Sequence, residues 1–122
     1  EIYSGDTFAY DAVGQAGKAG REQAAAEKIF SLLPPDQAGE FRSLWDEFEE
    51  GATAESRFAV AMDSFMPILH NYLTKGQQWQ RFGITSQQVL AKNRRIEKSS
   101  AFLWKYIQSI IADSVKKGYL KH

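Results

Sequence analysis

The apolar residues of this chain recur at every third or fourth position, and this period is what most limits its possible folds. One segment shows the i, i+3, i+4, i+7 spacing of a single helix face most clearly, with Phe41, Leu44, Trp45 and Phe48. An aromatic stripe of this kind usually packs in a core, so we interpret it as core. No segment alternates apolar and polar residues at the period of two that a half-buried strand requires. The sequence therefore predicts an all-α fold.

Helix start and stop signals divide the chain into about five helices. Pro34 ends the first of them, and Thr53 is a good N-cap for the third. Thr85 and Gln88 form a capping box, and Gly118 closes the last helix. The expected helices cover residues 21–33, 35–51, 53–74, 85–93 and 99–118. The glycines of segment 14–20 lack the strand and lysine pattern of a phosphate loop, so we expect a flexible connector there.

Composition excludes several classes of function. A length of 122 residues fits a single domain, and we expect residues 1–122 to form one. Fifteen basic and fifteen acidic residues cancel, which argues against a protein that binds the nucleic-acid backbone. The absence of cysteine excludes disulfides and cysteine-ligated zinc and suits the cytoplasm. No apolar run approaches the roughly 20 residues of a membrane span.

Asp63 stands out because it lies inside the most apolar of the expected helices, in the run RFAVAMDSFMPIL. A carboxylate among apolar neighbours is costly unless it is paired, hydrogen-bonded or bound to a metal. The alternative is that Asp63 lies on the solvent side of this helix, which Pro67 should kink. His70 is two turns along the same face, about 10 Å away, too far to share one metal ion directly. We interpret His70 as a surface or core-edge residue, and His122 has no supporting context.

Four stretches of the chain carry a further signal: EIYSGDTFAYD at the start, REQAAAEKIFSLLP after it, LWDEFEEGATAESRFAVAMDSFMPILHNYLTKG at residues 44–76 and GITSQQVLAKNRRIE at residues 83–97. These stretches resemble the HD-domain metal-dependent phosphohydrolases, in the branch that contains bacterial 5′-deoxynucleotidases. The resemblance covers essentially the whole chain. It implies a helical bundle of the HD-domain type.

The resemblance also assigns site residues. In that family a glutamate follows a His-Asp doublet, and an aspartate in a Gly-Asp corner comes five residues later. Glu1 and Asp6, with Gly5 before Asp6, match this spacing. A further aspartate in a later helix completes the metal site, and the matching position is Asp63. The chain begins after the place of the doublet, so the resemblance implies the C-terminal part of a longer enzyme, a bundle incomplete at its N-terminus and inactive alone.

The intact site would combine two histidines and two aspartates around a divalent metal ion such as Mn, Co or Mg. Such an ion polarises a phosphoryl oxygen and activates a bound water. Glu1 would orient that water or accept its proton, and Asp6 could pass a proton to the leaving sugar oxygen or hold a nucleotide hydroxyl. The alternatives are a frayed, solvated Glu1 and an Asx-turn role for Asp6.

The resemblance therefore implies a phosphohydrolase similar to 5′-deoxynucleotidases, which hydrolyse deoxyribonucleoside 5′-monophosphates to nucleoside and phosphate. The alternative is a non-catalytic helical interaction module or a nucleotide-binding module. The partners that the resemblance implies are a nucleotide substrate and either a second copy of the chain or the missing N-terminal segment; no nucleic acid or membrane partner is expected.

Two structural expectations follow from the same resemblance. The Asp63 side chain should be largely buried and face a cavity. Loss of the upstream helices should leave part of two apolar stripes exposed, the first formed by Phe58, Met62, Phe65 and Leu69 and the second by Leu103, Ile107 and Ile111.

Overall fold

The protein is all-α, as the sequence predicts. The computed structural model describes residues 2–122, and within them it contains helices and no strand. The helices are α1 (Ala12–Gln15), α2 (Lys18–Phe30), α3 (Pro35–Glu50), α4 (Ala54–Leu73), α5 (Gln77–Arg81), α6 (Ser86–Asn93), α7 (Ile96–Ser99) and α8 (Ala101–Lys116). None of the described helices is both long enough and apolar enough to span a bilayer.

The longer helices match the prediction closely, and the short ones do not. Thr53 caps α4 and Thr85 caps α6, each accepting a hydrogen bond from the backbone N–H three residues on. The helices α1, α5 and α7 were not predicted, because four or five residues are too few to show a helical period. The expected connector at residues 14–20 is wrong in part: Gly17, with a φ of 74°, precedes α2, which already starts at Lys18.

The chain divides into two compact units, the first reaching Glu47 and the second spanning Phe48–His122. Whether residues 1–122 act as one domain therefore stays a prediction. In the first unit, Arg21 of α2 holds the preceding loop together. Its guanidinium donates to the carbonyl oxygen of Gly14 at 2.8 Å, and to Thr7 Oγ1 and the carbonyl oxygen of Ala16, each at 3.2 Å.

The second unit has the apolar core. The short helix α7 packs against both α4 and α8, and α6 packs against α8. The buried side chains at these contacts are Ala61, Phe65, Ile68, Val89, Ile96, Trp104, Ile107, Ile110 and Ile111. Burial of this amount of apolar surface is the main stabilising contribution to such a unit.

The C-terminal segment folds back onto the second unit. Leu120 is buried, and the backbone N–H of Ser86 donates to the carbonyl oxygen of Lys121 at 2.7 Å. Gly76 lies directly against the Tyr119 carbonyl with a φ of 75°, where a side chain would overlap the carbonyl oxygen. A cleft of about 410 Å³ lies beside this segment, lined by Trp79, Gln80, Ile84, Gly118, Leu120 and Lys121.

Two expectations about burial are wrong in part. The predicted core stripe of α3 is not buried: Phe41 and Leu44 are about half exposed, and no α3 residue is fully buried. The second expectation was that part of two apolar stripes would be exposed, yet Phe65 of the first stripe and Ile107 and Ile111 of the second are buried. The reason is that α4, α7 and α8 cover one another within the second unit. Phe58 is exposed, as expected.

Candidate functional site

Asp6 lies in an exposed corner of the first unit. Gly5 before it adopts a φ of 75°, a left-handed conformation that glycine reaches without strain and that turns the chain at this point. Among the described residues, no hydrogen bond or ion pair engages the Asp6 carboxylate. The Asx-type bond belongs instead to Asp11, whose side chain accepts from the N–H of Val13 at 3.0 Å and caps α1. Glu1, the other predicted catalytic residue, lies outside the described residues.

Asp63 lies on the exposed side of α4, so the expectation that it would be buried is wrong. Ala61, Phe65 and Ile68 mark the buried side of this helix. With about 3.6 residues per turn, Asp63 falls roughly opposite the centre of that side. The apolar residues beside Asp63 in sequence include Met66, which is itself exposed. The apolar run therefore did not predict a buried aspartate, because part of the apolar surface of α4 remains uncovered.

The described residues do not by themselves fit a metal ion. His70 is exposed on the same side of α4 as Asp63 but two turns away, about 10 Å along the axis. Among residues 2–122, no group of three histidine, cysteine, aspartate or glutamate side chains is close enough to hold an ion. Asp63 therefore offers one carboxylate, where a protein site needs three or four ligands. Asp6 belongs to the first unit and Asp63 to the second.

A basic residue that the sequence analysis did not single out contacts Ser64, the residue after Asp63. Arg95, at the start of α7, donates from Nη2 to Ser64 Oγ at 2.9 Å, and Ser64 directly follows Asp63 on α4. The sequence signal was the run KNRRIEK at residues 92–98, which contains four basic residues and one glutamate. Only the packing of α7 against α4 shows that this run meets the segment of Asp63.

A second polar cluster joins α4 to α8 at their other end. Asp113 Oδ2 accepts from Tyr72 Oη at 2.6 Å and pairs with Lys117 Nζ at 2.6 Å. The hydrogen bond from Lys117, and to a smaller extent the one from Tyr72, lowers the pKa of Asp113. The same bond to Asp113 raises the pKa of Lys117. The three side chains of this cluster bind one another, so the cluster connects α4 to the C-terminal end of α8.

A family model described as "HD domain" matches residues 1–104, most of the chain. The chain belongs to the HD-domain family. The resemblance stated from its sequence is therefore confirmed at the level of the family.

Individual relatives agree with this assignment. The chain is similar to 5′-deoxynucleotidase HDDC2 of Homo sapiens, with 35% identity over 69 residues, which cover 57% of this chain and 34% of that protein. The same protein of Xenopus laevis matches with the same identity and coverage. A crystal structure of a predicted metal-dependent phosphohydrolase from Magnetospirillum magnetotacticum MS-1 superposes with a TM-score of 0.91 and 43% identity.

Coverage differs between these relatives. The solved structure matches all of this chain, and the match covers 61% of that protein. The curated 5′-deoxynucleotidases match about a third of their own length. These 122 residues thus correspond to a part of each relative. The activity of the relatives can therefore only be proposed for this chain.

Proposed function

We propose that these 122 residues belong to a metal-dependent phosphohydrolase that hydrolyses deoxyribonucleoside 5′-monophosphates. The observation that carries the proposal is Asp63, an exposed carboxylate without a protein partner among the described residues. The sequence resemblance, and not the structure, aligns Asp63 with the helix-borne metal ligand of the HD family. A carboxylate of this kind is ready to bind a cation without first breaking a bond within the protein. The similarity to two 5′-deoxynucleotidases supports the choice of substrate.

In this proposal each site residue has a separate role. Asp63 is one ligand of a divalent ion such as Mn²⁺, Co²⁺ or Mg²⁺, and the other ligands come from side chains outside residues 2–122. Such an ion, when bound, would supply Lewis-acid activation of the phosphate ester. Glu1 orients the attacking water, and Asp6 exchanges a proton with the sugar oxygen or holds a sugar hydroxyl. The exposure of Asp6 and its lack of a described partner support such a role.

The competing proposal is a non-catalytic module that binds a protein or a nucleotide through the same surface. Met66 and Leu73 favour it, because they leave apolar surface exposed on α4 at 53% and 70%. A second copy of the chain, or other residues of an HD domain, would cover that surface. The two proposals differ in turnover, which gives a direct experiment.

The experiment uses a hybrid in which these residues replace the matching 61% of the Magnetospirillum protein. With Mn²⁺ present, the hybrid should release phosphate from deoxyribonucleoside 5′-monophosphates. Asp63→Asn should lower the rate about 100-fold or more, because the ion loses a direct ligand and even residues that only orient the ligands contribute about 10–100-fold. Glu55→Gln removes one negative charge from the first turn of the same helix and should leave the rate unchanged.

Three results would contradict the proposal in different ways. A hybrid that binds nucleotide without releasing phosphate would favour the non-catalytic module. Equal rates on ribonucleotides would contradict the proposed substrate and leave the reaction class standing. An unchanged rate in Asp63→Asn would show that this aspartate is not the metal ligand.

A further inference from the structure

At the corner between α6 and α7, the positive charge of Arg95 has no ion-pair partner among the described residues. Arg94 pairs with Glu97, with Nε and Oε2 at 3.7 Å. Arg95 makes no ion pair within the described part of the chain, and the one protein hydrogen bond of its side chain there goes to Ser64 Oγ. A surface that is neutral in total thus has a local basic site where α7 meets α4.

The backbone that carries Arg95 is held firmly. Ile96, the next residue, is completely buried, and α7 packs on both α4 and α8. Asn93 before it is buried as well, and its side chain donates to the carbonyl oxygen of Val89 at 2.8 Å. Arg95 is therefore placed beside α4 by the core rather than by a mobile loop.

The Arg95 and Ser64 side chains have hydrogen-bond donors that no described residue accepts. A guanidinium carries five N–H donors, and one of them is used by Ser64. Ser64 Oγ accepts that bond, and no described residue receives its hydroxyl proton. Several donors that make no hydrogen bond to a described residue, and one positive charge without an ion-pair partner there, fit a phosphate monoester, which accepts several charge-assisted hydrogen bonds at once.

The position of Ser64 in α4 links Arg95 to the candidate metal ligand Asp63. Ser64 follows Asp63 directly, so their Cα atoms are about 3.8 Å apart and their side chains leave the helix about 100° apart. We propose that Arg95, together with Ser64, binds the phosphate group of the nucleotide beside Asp63. This inference rests on the proposed function for the substrate. Its test can be made without turnover.

The first experiment is an NMR titration of the 122-residue chain with inorganic phosphate, following the arginine Nε–Hε resonances. The Arg95 resonance, assigned by its loss in Arg95→Lys, should shift and saturate, while that of Arg94 should stay in place. Sodium chloride at the same ionic strength should not reproduce the shift. Ser64→Ala should weaken the affinity several-fold. No shift at Arg95, or an equal shift at Arg94, would overturn the proposal.

The second experiment measures KM and kcat of the hybrid for a deoxyribonucleoside 5′-monophosphate. Arg95→Gln should raise KM about tenfold through loss of charge-assisted hydrogen bonds, with kcat nearly unchanged. Arg94→Gln, at the same corner, is the control and should leave KM unaltered. Arg95→Lys keeps the charge but loses the planar pair of donors, so KM should rise by a smaller factor.

The outcomes separate the two proposals. If KM stays unchanged while the melting temperature of Arg95→Gln falls, Arg95 only joins α7 to α4 and the inference is overturned. If the hybrid has no activity with Arg95 intact, the proposed function fails, and the titration alone decides whether Arg95 binds phosphate.

Discussion

The two compact units of this chain are built from similar amphipathic helices and differ in how much of them is buried. In the unit from Phe48 onward, Val89, Ile96 and Ile107 are completely inaccessible to solvent. In the unit that ends at Glu47, the fully buried residues among those described are the small side chains Ala25 and Ala26. A helical period shows which side chains share a face, but burial requires another helix against that face.

The candidate site residues follow the same division. Asp6 lies on an exposed corner of the less buried unit, while Asp63 and Arg95 lie on helices of the well-packed unit. Groups that must keep a fixed geometry are held best by rigid elements with a packed core beneath them. We therefore expect substitutions in the second unit to affect both stability and the candidate site, and substitutions in the first to affect stability much less.

The largest expected difference in stability between the two units comes from one pair of isoleucine substitutions. Ile107→Ala opens a cavity in the second unit and should lower the free energy of unfolding by about 2–5 kcal/mol. Ile2→Ala makes the same chemical change at a residue that is 92% exposed, and should stay within about 0.5 kcal/mol. Urea unfolding followed by tryptophan fluorescence and circular dichroism measures both. Equal losses would mean that the first unit has a core that the burial of its residues does not reveal.

A smaller difference is expected between two glycines with positive φ. Gly76→Ala combines left-handed backbone with overlap of the Tyr119 carbonyl, and should cost about 2–3 kcal/mol. Gly17→Ala has the same backbone conformation, but the nearest atom is Arg21 Nη1 at 3.6 Å, so only the backbone cost of about 1–2 kcal/mol applies. Thermal unfolding of the two variants compares them. A larger loss for Gly17 would contradict the close packing of the C-terminal segment.

The smallest effect concerns pH. The folded-state pKa of Asp113 lies below its ordinary value of 3.8. The ionised Asp113 side chain therefore stabilises the folded state fully above that pH, and this contribution is lost as the pH falls through the folded-state pKa. The melting temperature of the wild type should thus be higher than that of Asp113→Asn near pH 6, and the gap between the two melting temperatures should disappear in acid. Tyr72→Phe, which removes one of the two donors, should narrow the gap. A gap that does not change with pH would show that the Asp113 cluster does not stabilise the fold.

The sequence predicted the long helices well, because their signals are local. The capping residues Thr53 and Thr85 and the closing Gly118 mark helix ends within two residues of those in the structure. Helices of four or five residues could not be predicted, since their existence depends on packing rather than on pattern. The apolar stripe of α3 shows that a correct helical period does not establish burial. The helix forms as predicted, yet Phe41 and Leu44 are exposed.

The candidate site was only partly accessible to sequence reasoning. Asp63 was noticed because it interrupts an apolar run, but its exposure could not be inferred, since both sides of α4 carry apolar residues. Arg95 was missed because its importance comes from a contact with Ser64, 31 residues earlier in the chain. The roles of Glu1, Asp6 and Asp63 rest on the family resemblance and stay predictions.

Calorimetry with Mn²⁺ tests most directly whether Asp63 is one ligand of a metal site that the described residues do not complete. The 122-residue chain should show no tight binding, because a single carboxylate cannot fill the coordination sphere. The hybrid with the Magnetospirillum protein should bind Mn²⁺, and Asp63→Asn should abolish most of that affinity while Glu55→Gln preserves it. Submicromolar binding by the chain alone, or a hybrid whose affinity is unchanged by Asp63→Asn, would contradict the account.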